Sequence, residues 1–284
     1  MKNGVIVDCF RRGVAGGIET AARLGFDGVQ IYATGGEFAY DMPVGEKKKF
    51  KKLLTDAGVE VSALCGDMGG HGFEIAGDNP RRVEISRRIA DLAAEFGTKV
   101  VTTHIGVIPS DRTEPRYAVM LDALSEIGEY AKTVGVTFAI ETGPEKASVL
   151  RGFLDGTRGG VGVNLDPANF VMVTRQNPVE AVGLLGGYIA HTHVKDGKNL
   201  RAVEPKVVYD CFAGGGIDAL NVADYFTETP VGKGDVDFNA YFAALKKAGY
   251  DGYLTVEREA GAEPEADIAS ALAYINSVRK SLGI

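Results

Sequence analysis

The segments Val136-Thr-Phe-Ala-Ile-Glu141, Val161-Gly-Val-Asn-Leu-Asp166 and Tyr188-Ile-Ala-His-Thr-His193 decide the fold. Each is a short run rich in apolar and β-branched residues that ends on a polar one, as expected of a strand in a parallel sheet covered on both sides. Working outward, runs of the same kind recur at Gly4–Val7, Gly28–Tyr32, Val59–Leu64, Lys99–His104 and Tyr253–Glu257, which makes eight candidate strands. The stretches between them have helical periodicity. Ile85, Ile89, Leu92 and Phe96 share one face, as do Leu121, Leu124, Ile127 and Ala131. Asn79-Pro80 and Asn177-Pro178 read as helix starts, and Gly25, Gly58, Gly97, Gly135 and Gly249 as stops just before strands.

Eight strands alternating with helices over 284 residues predict a single α/β domain spanning 1–284, a (β/α)8 TIM barrel sealed by a helix from Asp267 to Leu282. An open doubly wound sheet fits less well, because no Gly-x-Gly-x-x-Gly follows the first strand. One irregular interval, about 195–235, contains Gly214-Gly-Gly216 and Pro230-Val-Gly-Lys-Gly234 and is expected to be a long loop over a site. The triple glycine offers backbone amides, but no phosphate-loop Lys-Ser/Thr follows it.

Composition narrows the function. With 31 Lys and Arg against 38 Asp and Glu, the formal charge of -7 disfavours nucleic acid as a partner. Cys9, Cys65 and Cys211 have no paired spacing, so neither a disulfide framework nor a thiolate zinc site is expected. The apolar run after Met1 ends at Asp8, short of a signal peptide, and no stretch approaches a membrane span. The expectation is a cytoplasmic protein with no membrane partner.

Successive strand residues face opposite sides. Sorted this way, Val136, Phe138 and Ile140 oppose Thr137, Ala139 and Glu141, and Val161, Val163 and Leu165 oppose Asn164 and Asp166. His191 and His193 separate from Ala190 and Thr192, and Glu257 from Leu254 and Val256. In a barrel the more apolar face packs on the helices, so Glu141, Asp166, His193 and Glu257 point inward at the carboxyl ends of four adjacent strands, where barrel enzymes place their chemistry. Three carboxylates and an imidazole crowded together oppose one another's ionisation, and a divalent cation resolves the conflict. The oxygen-rich set suits manganese best, with magnesium, cobalt or zinc as alternatives. Any one of the four alone could simply cap its strand; their coincidence favours a shared ion.

These residues resemble the sugar phosphate isomerase/epimerase superfamily, the xylose isomerase-like TIM barrels that include ketose 3-epimerases, hydroxypyruvate isomerases and inosose dehydratases. The resemblance spans nearly the whole chain through Ala139-Ile-Glu-Thr-Gly-Pro-Glu145, Asn164-Leu-Asp-Pro-Ala-Asn169, His191-Thr-His-Val-Lys-Asp196, Pro230-Val-Gly-Lys-Gly-Asp235 and Thr255-Val-Glu-Arg258. It implies Glu141, Asp166, His193 and Glu257 as metal ligands, Glu141 and Glu257 as the acid–base pair, and a homo-oligomer, dimer or tetramer. Two positions depart from the ketose 3-epimerases: Asn169 stands where they resemble one another in a histidine, and Asn199 where they have an arginine. Membership in the superfamily is better supported than membership in that subfamily.

The expected reaction removes a proton beside a sugar carbonyl through an enediolate whose charge a cation stabilises. Glu141 and Glu257, on the fifth and eighth strands, would flank the small carbohydrate substrate. Return of the proton to the same carbon gives epimerisation and to its neighbour isomerisation; loss of a β-hydroxyl makes the enzyme a lyase, a dehydratase of a keto-sugar or keto-cyclitol. Substrate contacts are expected from His104, Glu145, Asn169, Lys195, Gln30 and Tyr32, with His191 one layer deeper as an orienting group. Glu145 also reads as a first-turn helix acid, and His71 as part of a glycine-rich loop. A barrel that binds sugar without turnover is the rival from another class. An abasic-site endonuclease is excluded by the four histidines and the acidic balance.

Overall fold

The structure is a computed structural model that describes residues 1–214 and 221–284. Gly215 and Gly216 of the triple glycine thus lie outside the described residues. Eight parallel strands close into a barrel: β1 (Lys2–Ile6), β2 (Gly28–Tyr32), β3 (Glu60–Cys65), β4 (Val100–Thr103), β5 (Thr137–Glu141), β6 (Val161–Leu165), β7 (Ile189–Val194) and β8 (Tyr253–Val256). Each pairs with its sequence neighbours, and β8 closes on β1 with Lys2 opposite Tyr253 and Val5 opposite Val256. The expected helices are present, among them Asn79–Glu95, Pro115–Thr133 and the sealing helix Pro264–Leu282. Gly25 (φ 92°) and Gly58 (φ 69°) end two others in the left-handed conformation that glycine adopts without strain.

The hydrophobic core lies outside the barrel wall. Val29, Ile31, Phe138, Ile140, Val163 and Leu165 are fully buried against helix residues such as Ile89, Leu124, Ile127 and Phe153. Burial of each such side chain contributes about 1.5–3 kcal/mol. The inner face is small and polar instead: Gly4, Gly28 and Gly162 alternate with buried Gln30, Thr102, Asn164, His191 and Thr255. A Cβ at Gly4 would come within 2.6 Å of Thr255 Oγ1, so the close approach of β1 to β8 needs glycine there. The β6–β7 register shifts between Val163 and Asn164, just below the carboxyl end of the strand.

The interval expected to be a loop carries regular structure. Asp196–Asn199 pairs antiparallel with Phe226–Thr229, and the helix Pro205–Ala213 projects between them. The ribbon is held by one side chain. Asp196, fully buried, accepts backbone N–H bonds from Gly197 (2.9 Å) and Val236 (3.2 Å) on Oδ1, and from Gly232 (2.9 Å) and Gly234 (2.8 Å) on Oδ2. Pro230-Val-Gly-Lys-Gly-Asp235 is therefore a loop wrapped around a carboxylate, and a Cβ at Gly234 would lie 2.1 Å from Asp196 Oδ1.

Candidate functional site

Glu141 ends β5, and Asp166, His193 and Glu257 stand at the carboxyl ends of β6, β7 and β8; all four are buried. Each offers one ligand atom, and these atoms lie within 4.8 Å of one another. Twice a metal–oxygen bond of about 2.1–2.4 Å is about the same span, so the group has the dimensions of a single cation site. Local geometry aims the atoms. Asp166 caps the turn Pro167–Asn169, accepting Asn169 N–H at 2.9 Å on Oδ1, which leaves Oδ2 for the cluster. Gln30 donates to Thr102 Oγ1 at 3.2 Å, which turns its carbonyl toward His193 Nε2 at 3.1 Å. An Nε2–H donated to that carbonyl leaves the Nδ1 lone pair facing the carboxylates.

The arrangement leaves ligand atoms without a hydrogen bond. Asp166 Oδ2, His193 Nδ1 and Glu257 Oε2 are buried and make no hydrogen bond, although Nδ1 is 2.9 Å from Glu257 Oε2 and 3.5 Å from Asp166 Oδ2. Orphaned polar atoms of this kind cost about 1–3 kcal/mol each. A divalent cation would satisfy all three at once, and the donor set fits one. The electrostatics are those of a site short of positive charge. Burial drives the Glu141 carboxyl up to about 7, against the pull of His104 and His193. Burial works against ionised Asp166 as well, but the nearby His193 imidazole and Lys195 outweigh it and lower its pKa; at Glu257 the same penalty is outweighed by Lys195 and His193. His193 resists charge through burial, yet Glu257 and Glu141 hold its pKa well above the ordinary imidazole value.

Above the four lies a cavity of 350 Å³. Tyr32, His104, Asn169 and Lys195, four of the six residues expected to contact substrate, are on its wall. His104 Nδ1 meets Asp67 Oδ2 at 3.0 Å and its Nε2 is 3.5 Å from Glu141 Oε1; burial disfavours its charge, but Glu141 and Asp67 raise its pKa. Asn169 Nδ2 donates to Glu141 Oε1 at 3.3 Å and to Thr142 O at 3.0 Å. Lys195, buried, lies 2.5 Å from Glu259 Oε2 and 3.5 Å from Glu257 Oε2. Two expected contacts sit elsewhere. Gln30 is behind His193 and not on the cavity wall, and Glu145 is buried beside the wall with Oε2 unpartnered and its carboxyl driven by burial up to about 8. His191 is one layer down, 6.0 Å between ring centroids from His193, and burial with its charged neighbour keeps it neutral. A larger hollow of 770 Å³ lies around His191 and Tyr253, where the four ligand residues do not reach.

Sequence reasoning missed Asp67, Glu228, Glu259 and Tyr209, all on the cavity wall. Asp67 falls two residues beyond β3, outside strand parity; the polar residue after Cys65-Gly66 was its only signal. Tyr209 rides on the helix Pro205–Ala213 and donates to Gly70 O at 3.3 Å, bringing that helix against the glycine-rich segment of His71 over the mouth. Among the described residues no helix is long and apolar enough to cross a membrane.

Comparison with known proteins follows the same lines. Residues 18–278 match the family model described as xylose isomerase-like TIM barrel. A xylose isomerase domain protein from Planctomyces limnophilus superposes with a TM-score of 0.80 at 27% identity, covering 99% of this chain and 98% of that one. The probable 3-DHS dehydratase AsbF of Bacillus anthracis, involved in petrobactin synthesis, superposes at 0.75 with 18% identity over 97% and 99% of the two chains, a likeness of fold alone. The L-ribulose-5-phosphate 3-epimerase UlaE of Salmonella paratyphi C is 36% identical over 93 residues, 30% of this chain. The chain spans about a third of the length of the curated relatives it matches (33%).

Proposed function

The chain belongs to the xylose isomerase-like TIM barrel family, and from that premise we propose that it is a divalent-metal-dependent carbohydrate isomerase or epimerase. The observation that carries the proposal is the set of orphaned, converging atoms on Asp166, His193 and Glu257 beside Glu141. These four residues would hold the cation, with manganese the best match to the donor set and magnesium, cobalt or zinc also suited. When bound, the ion supplies positive charge where a sugar carbonyl and its neighbouring hydroxyl develop negative charge.

The protein's own groups do the rest. Glu141 and Glu257 come from β5 and β8, with β6 and β7 between them, and each turns a carboxylate toward the cavity. One removes the proton beside the carbonyl and the other returns it. His104, steadied by Asp67, is placed to donate to a substrate oxygen next to Glu141. Asn169 fixes the Glu141 carboxylate, and Lys195 keeps that of Glu257 ionised. The helix Pro205–Ala213 and the segment around Gly70 shelter the mouth from water.

The test is deuterium uptake. The protein, loaded with magnesium or manganese, is incubated in deuterated water with a panel of free, phosphorylated and 3-keto sugars, and the recovered sugars are weighed by mass spectrometry. One deuteron enters at the carbon beside the carbonyl of a true substrate, and uptake disappears in Glu257→Gln. No uptake across the panel with cation present refutes the proposal. A new conjugated-enone absorbance moves the protein to the lyase class.

A further inference from the structure

We propose that the substrate is a neutral sugar, carrying neither phosphate nor carboxylate, that turns an apolar group toward the rim of the cavity. This rests on the reading of the site as a carbohydrate isomerase or epimerase and narrows its substrate class.

The first observation is charge. Lys195 is the one lysine or arginine and His104 the one histidine among the described cavity-lining residues, and carboxylates already engage both: Glu259 at 2.5 Å and Glu257 at 3.5 Å on the lysine, Asp67 at 3.0 Å and Glu141 at 3.5 Å on the imidazole. Asp67, Glu228 and Glu259 line the same wall, and residues 215–220 contain no lysine, arginine or histidine. A phosphate dianion would enter a field of its own sign at short range.

The second observation is the use made of backbone amides. Barrel enzymes frequently bind phosphate with the loops after the seventh and eighth strands. Here amides of both loops are spent on the protein's own carboxylates. After β7, Asp196 takes the amides of Gly232 and Gly234 at 2.9 and 2.8 Å. After β8, the Ala260 amide points at Glu228, 3.3 Å from each oxygen, while the Arg258 guanidinium is held by the same Glu228 at 2.6 Å and by Asp267 at 2.8 Å. The glycines of Pro230-Val-Gly-Lys-Gly234 thus already surround an anion of the chain.

The third observation is apolar surface facing the ligand space. Phe212 lines the cavity yet is 66% exposed, half-buried Phe226 lines it too, and the buried side chains of Val208 and Met172 complete an apolar side of the wall. A fully hydroxylated sugar would leave Phe212 uncovered, whereas a deoxy carbon or an O-linked alkyl or aryl group would cover it. The polar end of the substrate then meets the carboxylates and His104, and the apolar end the helix Pro205–Ala213.

Calorimetry on the magnesium-loaded protein tests this with ketoses offered in three forms: the free sugar, its terminal phosphate ester, and a deoxy or phenyl-substituted derivative. Each phosphate ester is expected to bind at least tenfold more weakly than its parent, and the apolar derivative several-fold more tightly. Phe212→Ala, at an exposed position, should abolish the gain from the apolar group. Glu259→Gln, which removes a charge and releases Lys195, should narrow the gap between ester and parent. A phosphate ester that binds more tightly than its parent, an apolar preference that survives Phe212→Ala, or a failure of every neutral ketose to bind overturns the proposal. Because binding is read without turnover, this pattern with no deuterium uptake refutes the isomerase reading alone, and uptake confined to phosphorylated sugars refutes this one alone.

Discussion

Replacing Asp196 by asparagine should destabilise the protein severely, even though the change removes one charge and keeps the shape. Asp196 accepts four backbone N–H bonds, two on each oxygen, between 2.8 and 3.2 Å. An amide keeps one oxygen, and with it two bonds. Its NH2 group must then face two N–H donors, either those of Gly232 and Gly234 or, if flipped, those of Gly197 and Val236. Hydrogen bonds to an ionised acceptor contribute about 1.5–3 kcal/mol each, so losing two costs about 3–6 kcal/mol before any relaxation. Loosening of the loop limits the loss, and about 3–5 kcal/mol is expected. That is a large share of the 5–15 kcal/mol typical of a folded domain. Alanine at this position leaves room for water and no donor clash, so it should be no worse than asparagine. Urea unfolding followed by circular dichroism gives the free energies, and amide hydrogen exchange should locate the loosened segment between Gly197 and Val236. An Asp196→Asn variant within about 0.5 kcal/mol of the parent would refute the view that this carboxylate organises the segment.

Two further outcomes follow from the site. Gln30→Ala should lower the affinity for manganese or magnesium about 10- to 100-fold by calorimetry with the fold intact, since the Gln30 carbonyl 3.1 Å from Nε2 favours the His193 tautomer that turns an unprotonated Nδ1 to the cluster; unchanged affinity would count against that role. Burial raises the Glu145 carboxyl to about 8 despite nearby His104, so the folded protein keeps a proton that the unfolded chain loses near 4.5, and this group's contribution to stability falls as pH rises from about 4.5 to 8. At about 1.4 kcal/mol per pH unit, Glu145→Gln should unfold at higher urea than the parent at pH 9, by on the order of 5 kcal/mol, and the advantage should vanish near pH 4.5. Parallel pH profiles for the two proteins would rule this out.

The barrel was legible because its strands must be apolar on the helix side whatever lies inside, and that constraint leaves a two-residue period in the sequence. Parity at β5 to β8 then separated Glu141, Asp166, His193 and Glu257 from their apolar neighbours, and the structure brings these four together. Parity says which side a residue faces but not how high it stands. Gln30 and Tyr32 share a face of β2, yet Gln30 lies behind His193 and Tyr32 at the mouth. The ribbon Asp196–Asn199 was illegible because its residues, Asp-Gly-Lys-Asn, have no apolar alternation; a buried carboxylate holds it in place of a hydrophobic face. The helix Pro205–Ala213 did leave a signal, Glu204-Pro205 followed by Val208 and Cys211 on one face, which the surrounding glycines obscured. Asp67 and Glu259 lie past the strand ends, where neither period applies.

The small polar interior explains how a marginally stable chain tolerates three buried carboxylates. Because the apolar core sits between strands and helices, the inner layer is free to carry Asn164, Gln30 and Asn169, whose amides orient the cluster from below and beside it. Those amides satisfy some carboxylate oxygens and leave others bare, so the unfavourable charge density is concentrated at one point and not spread through the barrel. A cation bound there converts a local cost into binding energy that the unfolded chain cannot gain, which ties folding to the ion. The same excess of acid continues up the wall through Asp67, Glu228 and Glu259, beyond the reach of a single dication at the base. On the proposed reading, anionic charge at a substrate's far end would meet that excess, so the feature that favours a cation below would also select against an anion above.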